Sequence, residues 1–442
     1  MTAPPTAATL APVPPMGWNS WDCFGTTVTE DEVLANAEVM RTRLLPAGWD
    51  HVVVDIDWYD PTARAHGYND DAPVVLDDYG RQLPAAGRFP SSRDGSGFAN
   101  LARAVHEKGL KFGIHIVRGI PRRAVDLDLP ILGTEWTAAE VADRSNVCTW
   151  HPHNLGLNHD HPGAQAYYDA QVAQFAEWGV DFIKADDMQA PYYHREIEAY
   201  ALAIARSGRP MTLSLSPGTH LSTLHIDHLR RHAQMWRISD DLWDRWEDVH
   251  AQFARLARWA PLQGSGGWAD ADMLPLGRIG LRAERGEPRN SRLSGDEQRS
   301  LLSLWAMGRS PLMVGADLPS TEESTLGMLA NPALREVTAS TTGNAEVIRE
   351  PHGDGEIIVW SARSSRQDRW YLAAFWTGES ELTTPIALAS VTGLPAMTHQ
   401  QWNVSDLWED GGEMTPLDLD RGHVSVRVPS HGVRWLALEP RG

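Results

Sequence analysis

The chain has 442 residues, with 39 Lys+Arg against 58 Asp+Glu and a formal net charge of −19 before histidine is counted. That balance argues against nucleic acid as a partner, since affinity for a phosphate backbone comes from Lys and Arg, while 42% hydrophobic and 22% charged residues describe an ordinary globular chain rather than a disordered one. Two cysteines, Cys23 and Cys148, cannot build a disulfide framework, and no run of about 18 apolar residues marks a membrane span.

In chain order, the Pro/Ala-rich start MTAPPTAATLAPVPP has neither a basic n-region nor a sustained apolar stretch, so residues 1–13 are expected to be a flexible arm on a cytoplasmic protein. A strand opens near Met16–Trp21, Thr29-x-x-Glu32 is a capping box starting a helix to about Leu44, and HVVVDIDW (51–58) is the second strand. The helix Phe98–Lys108 stops at Gly109 before LKFGIHIV (110–117), and Pro162–Trp178 stops at Gly179 before VDFIKADD (180–187). The runs MTLSLS (211–216), QMWRISD (234–240), ADADML (269–274) and LMVGADL (312–318) complete eight strands, with helices between them that include Glu247–Trp259 and Ser294–Trp305.

Eight strand–helix units without a glycine-rich dinucleotide fingerprint favour an α/β fold of the (β/α)8 TIM-barrel type over a doubly wound sheet, and we assign the barrel to residues 14–343. From Asn344 the period changes to two in EVIRE, EIIVWSA, RWYLAAFW, HVSVRV and GVRWLAL, with a turn at EDGGE (409–413). Residues 344–442 are therefore expected to form a C-terminal antiparallel β-sandwich.

Polar residues gather at the C-terminal ends of the barrel strands, where barrels carry their sites: Asp55, Lys184 with Asp186, Arg237 with Asp241, and Asp270 with Asp272. Lys184 and Asp186 share one strand face, so the ammonium can keep the aspartate ionised as a nucleophile, while Asp241 would act as the acid. Such pairs are also common as plain salt bridges. Trp18, Trp21, Trp58, Trp150, Trp236, Trp243 and Trp268 lie beside strand ends or loops, where indoles either stack on sugar rings or simply pack the core. The stretch WHPHNLGLNHDH holds His151, His153, His159 and His161, a potential zinc cluster in a metal-dependent hydrolase, but Asp160 and Pro162 read as helix-start signals and we assign no metal and no cofactor.

PPMGWNSW (14–21), VVVDIDW (52–58), GRFP (87–90), GLKFGIH (109–115), WGVDFIKADD (178–187), WRISDDLW (236–243) and GGWADADML (266–274) together resemble glycoside hydrolase family 27, and PSHGVRWLAL resembles the end of that family's β-sandwich. The family contains retaining α-galactosidases, α-N-acetylgalactosaminidases, β-L-arabinopyranosidases and isomaltodextranases. The resemblance implies Asp186 as nucleophile and Asp241 as acid/base, with Asp240 standing where glycine or alanine is common. It implies that Trp21, Asp55, Ile56, His115, Lys184, Ser216, Arg237 and Asp272 line the sugar subsite, His115 replacing a tyrosine and Ser216 a glutamate. Asp57 and Met188 stand where secreted members have cysteines, in keeping with a cytoplasmic enzyme. The partner expected is a small sugar glycoside or oligosaccharide, with no nucleic acid and no membrane, and exposed barrel faces leave a homo-oligomer open. Ile56 points further: the family's galactosidases have a second acidic residue there for the sugar's outer hydroxyls, and members with isoleucine tend to be β-L-arabinopyranosidases. A retaining β-L-arabinopyranosidase is thus expected ahead of an α-galactosidase, with α-N-acetylgalactosaminidase and isomaltodextranase as lesser alternatives.

Overall fold

The computed structural model describes residues 10–264, 266–393, 402–409, 415–417 and 422–440. One sheet has eight parallel strands: β1 (Met16–Asn19), β2 (His51–Val54), β3 (Lys111–Val117), β4 (Phe182–Asp186), β5 (Thr212–Leu215), β6 (Met235–Arg237), β7 (Trp268–Asp270) and β8 (Leu312–Val314). From β2 to β7 each strand pairs with its predecessor, β8 pairs with β1, and a parallel bridge between Leu274, just past β7, and Val314 of β8 joins the two remaining edges. This is the expected (β/α)8 barrel.

The principal helices are α1 (Glu30–Val39), α2 (Ala99–His106), α3 (Pro162–Trp178), α4 (His194–Ser207), α5 (Ile226–His232), α6 (Trp246–Trp259), α7 (Gly295–Gly308) and α8 (Pro332–Ser340). Their ends follow local chemistry. Thr29 and Glu32 form both bonds of the capping box on α1. On α3, Pro162 fills a first-turn position needing no N–H, the His161 ring accepts from Gly163 N–H, and Gly179 ends the helix at φ 84°. A three-stranded antiparallel sheet between β3 and α3 (Ile120–Pro121, Ala142–Val147 and Asn154–Leu157) went unread in the sequence, whose short polar run there lacks alternation.

The barrel strands are shorter than the hydropathy pattern suggests. β2 stops at Val54 rather than residue 58, and β7 at Asp270 rather than residue 274. Beyond those points backbone N–H groups turn to side chains: Asp55 N–H donates to Ser20 Oγ, Ile56 N–H to Asp55 Oδ1, Asp187 N–H to Asp186 Oδ1, and Asp272 N–H to Asp270 Oδ1. Asp57, Asp187 and Asp272 adopt φ of 64°, 58° and 87°, a left-handed conformation that a short polar side chain tolerates and that cannot continue a ladder.

By contact the chain divides into two compact units, one of Met1–Asp241, Gly264–Asn290 and Leu312–Leu326, the other of Leu242–Gln263, Ser291–Pro311 and Gly327–Gly442. The residue 343 boundary expected from periodicity falls inside the second unit, which also takes in α6 and α7. In the first unit, the expected arm leaves residues 1–9 outside the described residues, while Ala11 is buried and its carbonyl accepts from Gly266 N–H and from Trp268 Nε1 at 2.9 Å, beside the start of β7.

The second unit holds β9 (Thr341–His352), β10 (Gly355–Ser364), β11 (Trp370–Trp376), β12 (Leu382–Ala387), β13 (Trp402–Asp406), β14 (Thr415–Leu417), β15 (His423–Val428) and β16 (Val433–Pro440). Six form one antiparallel sheet in the order β9-β10-β11-β16-β13-β14, and β12 pairs with β15. Alternate residues Trp370, Leu372, Ala374 and Trp376 pack with Ile386, Val424, Val426 and Val428. The opposite face meets the unit's helices: Phe375 lies edge-on to Phe253 of α6, and Ser300 and Ser303 of α7 bond His431 O and Trp408 Nε1. Sandwiched between these, β11 is buried at every position, which explains its unbroken apolar run. Residues 410–413 of the expected EDGGE turn lie outside the described residues.

Candidate active site

The register across β3, β4 and β5 sets His115 opposite Lys184 and Lys184 opposite Ser214. Because strand residues two apart share a face, Asp186 and Ser216 continue the same inward rows one step nearer the strand ends. Lys184 Nζ bonds Asp55 Oδ2 at 2.8 Å, and Asn19 Nδ2 donates to that oxygen at 2.7 Å. His115 Nε2 lies 3.1 Å from Asp186 Oδ2, while its Nδ1 has no partner, so the network places the proton on Nε2. Arg237 directs both terminal nitrogens to Asp241 Oδ1 at 3.1 Å and its Nε lies 3.3 Å from Asp272 Oδ1. Its neighbour Asp240 is exposed. Asp241 is half-exposed, whereas Arg237 and Asp272 are buried.

Two cations, Lys184 and Arg237, thus stand among Asp55, Asp186, Asp241 and Asp272. Burial pushes the Asp186 carboxyl up, but the His115 hydrogen bond and the charges of Lys184 and Arg237 outweigh it and hold Asp186 well below the usual carboxylate range. Asp55 is likewise low, burial being overcome by Lys184 and His115. Asp272 moves the other way, raised by burial despite Arg237, with Asp241 and Asp270 adding to the rise. The site therefore pairs a carboxylate fixed as an anion on β4 with an accessible carboxyl after β6.

Ile56 is buried in one apolar cluster with Trp21, Val117, Cys148 and Met273, against which Tyr68 and Trp150 pack. Trp21 stacks on Tyr68 at 5.8 Å between ring centroids, and the Trp150 ring, tilted by 50°, lies 5.8 Å from Tyr68. Of the other tryptophans singled out in the sequence, Trp18, Trp58, Trp236 and Trp268 are fully buried. Trp18, Trp58 and Trp268 give their N–H to the carbonyls of Ala316, His115 and Ala11, so they are core residues.

The histidine stretch does not converge as a group. His151 Nε2 lies 2.8 Å from Asp57 Oδ1 and His153 Nδ1 3.5 Å from it, whereas His159 faces Glu196 at 3.0 Å and His161 caps α3. Asp57, His151 and His153 have the residue types of a metal site, within 4.8 Å of one another. Ligation through His151 Nε2 would, however, drive its proton onto a buried Nδ1 that has no acceptor. We read this trio as a hydrogen-bonded brace behind Asp55 and Ile56.

Four neighbours were missed from the sequence. Asn19 bonds Asp55 as above and accepts Trp21 N–H at 2.8 Å, although the GWNSW motif contained it. Tyr68, stacked on Trp21, has a hydroxyl pKa raised by burial and by the charges of Asp241, Asp186, Glu284 and Asp55, and Glu284 is the fourth residue missed. Both lie on loops without periodicity, so no pattern could find them. Asp22 is buried, its Oδ2 without a partner, and its carboxyl is pushed well up by burial and by Asp272 and Asp241.

A closed barrel with a low-pKa carboxylate, a second carboxyl and an aromatic wall at its strand ends is the working end of a glycoside hydrolase. Residues 154–339 match the family described as alpha galactosidase A, and residues 354–438 the alpha galactosidase C-terminal beta sandwich domain. A β-L-arabinopyranosidase of glycoside hydrolase family 27 from Geobacillus stearothermophilus, one structure of which holds arabinose, is 41% identical with a TM-score of 0.92 over 99% of each chain. A structure described as a putative α-N-acetylgalactosaminidase from Bacillus halodurans is 38% identical, TM-score 0.84, over 97% of each chain. The α-galactosidase of Cyamopsis tetragonoloba is 26% identical over 98% of this chain and 87% of its own length. The chain belongs to glycoside hydrolase family 27.

Proposed function

We propose that this enzyme is a retaining exo-glycosidase that releases terminal β-L-arabinopyranose. Asp186, ionised by its surroundings, attacks the anomeric carbon while Asp241 protonates the leaving oxygen. The resulting glycosyl ester on Asp186 is then hydrolysed by water that Asp241 deprotonates. Lys184, Asp55, Arg237, Asp272, Trp21, His115 and Ser216 hold the sugar. Buried free Cys23 and Cys148 agree with a reducing compartment.

The observation that carries the choice of sugar is Ile56, which directly follows the Lys184-bound Asp55 and shares its apolar cluster with Trp21. β-L-Arabinopyranose has the ring stereochemistry of α-D-galactose without the hydroxymethyl at C5, so it sits against Ile56 with no group left unpaired. A galactoside would bury its 6-hydroxyl without a partner, which costs about 1–3 kcal/mol, or roughly 10- to 200-fold in kcat/KM. Replacing Ile56→Asp should raise turnover of an aryl α-D-galactopyranoside relative to an aryl β-L-arabinopyranoside. An unchanged ratio would sink the assignment.

A second reading, α-galactosidase, is favoured by relatives that carry that name and span nearly the whole chain. The small Ser216, whose buried Oγ has no partner, keeps α-N-acetylgalactosaminidase as a minor alternative. The same substrate pair, with an aryl N-acetylgalactosaminide added, separates all three.

A further inference from the structure

α4 and α5, the helices following β4 and β5, bring a second set of ionisable groups together outside the active site. Glu198 projects from α4. His228 and His232, four residues apart on α5, share one helix face, with ring centroids 4.3 Å apart. His228 Nε2 lies 3.1 Å from Glu198 Oε1, and one ligand atom of each of the three residues lies within 4.8 Å of the others. From these contacts we propose that Glu198, His228 and His232 form a zinc-binding site that ties α4 to α5.

The remaining ring nitrogens make the case stronger than proximity does. A metal-bound imidazole typically donates its other N–H to a fixed oxygen, which sets the tautomer and aims the ligating lone pair. His232 Nδ1 already lies 2.9 Å from the His228 carbonyl, so its N–H is held there and Nε2 presents a lone pair. His228 Nδ1 lies 2.6 Å from the Tyr192 hydroxyl. When zinc takes Nε2, the His228 proton moves to Nδ1 and Tyr192 turns from donor to acceptor, so the ring stays neutral and no proton is lost. Tyr192 is itself fixed, its ring stacked on His225 at 3.8 Å and 7°. The donors in a tetrahedral zinc site lie about 3.3 Å apart, close to the spacing between His228 and Glu198 already present, and water completes the shell. This arrangement contrasts with Asp57, His151 and His153, where His153 Nε2 has the Asn69 carbonyl but no acceptor waits for a proton displaced onto His151 Nδ1.

Tyr192 lies in the segment between β4, which ends on Asp186, and α4, so the metal would also fix that connection. The site is independent of the hydrolytic reading.

The test uses the full-length enzyme stripped with chelator and dialysed against zinc chloride alone. One zinc per chain is expected, with a dissociation constant below about 10 μM, and a melting temperature that rises with zinc. His228→Gln with His232→Gln should weaken binding at least about tenfold and abolish the thermal shift, and Tyr192→Phe should weaken it about tenfold as a ligand-orienting loss. The milder Glu198→Gln, on an exposed position, should weaken it too and guards against a double variant that fails to fold. No zinc held at about 10 μM free metal, or wild-type affinity in Glu198→Gln and the double variant alike, overturns the proposal.

Discussion

At the scale of single residues, the distinction between the two carboxyl groups rests on their neighbours rather than their identity. Asp186 is held as an anion by His115, Lys184 and Arg237, and in the proposed mechanism it forms a glycosyl ester, which an amide in its place cannot do. Asp186→Asn should leave under about a hundredth of wild-type turnover, and residual activity above that would remove it as nucleophile. Asp241→Ala should instead spare a nitrophenyl glycoside far more than an unactivated one, because only the latter needs its leaving oxygen protonated. If both substrates fall equally, the acid lies elsewhere. The sign of the His115 effect is also defined. Its hydrogen bond lowers the Asp186 pKa, so His115→Ala lets that pKa rise, and the acid limb of the kcat/KM profile should move to higher pH, by about one unit. A limb that stays or moves down would show that His115 does not tune the nucleophile.

At the scale of elements, strands shorter than their apolar runs create the site. The alternation in HVVVDIDW and ADADML continues past the last ladder bonds, and what ends the strands is an exchange of backbone partners for side chains that no periodicity encodes. Close backbone approach matters equally. Gly218, beyond β5, lies against the Arg237 carbonyl, and a Cβ there would come within 1.9 Å of that oxygen. Gly218→Ala must therefore displace the end of β6 that carries Arg237 and leads to Asp241. We expect kcat to fall by at least about tenfold, as a small misplacement of a catalytic group does, with the protein still folded by circular dichroism. Unchanged kcat would mean the segment relaxes without moving Arg237.

At the scale of the whole chain, the two compact units do not follow the order of the sequence. α6 and α7, read as barrel helices, make contacts with the C-terminal sheet through Phe253, Ser300 and Ser303. Ending the chain after residue 343 would remove the partners of Phe253 on α6 and of Ser300 and Ser303 on the largely buried helix α7. Such a truncation should give insoluble or inactive protein, and a soluble truncated enzyme with wild-type kcat/KM would refute that expectation.

The sequence by itself determined the barrel, the sandwich and the family, because side-chain periodicity is a local property and the motifs sit in contiguous runs at strand ends. It also placed Lys184 beside Asp186 and Arg237 near Asp241, since both pairs are close along the chain. Only the tertiary structure decided what is joined across strands: His115 with Asp186, Lys184 with Asp55, Ile56 with Trp21 and Tyr68, and two of the four loop histidines with Asp57. The tryptophans show the same division. Their abundance was legible, but whether an indole faces a carbonyl in the core, as Trp18 and Trp268 do, or stacks on Tyr68, as Trp21 does, depends on the closing of the barrel around it. Contacts between residues far apart in the chain exist only once packing has brought them together, and the chemistry of this site is made almost wholly of such contacts.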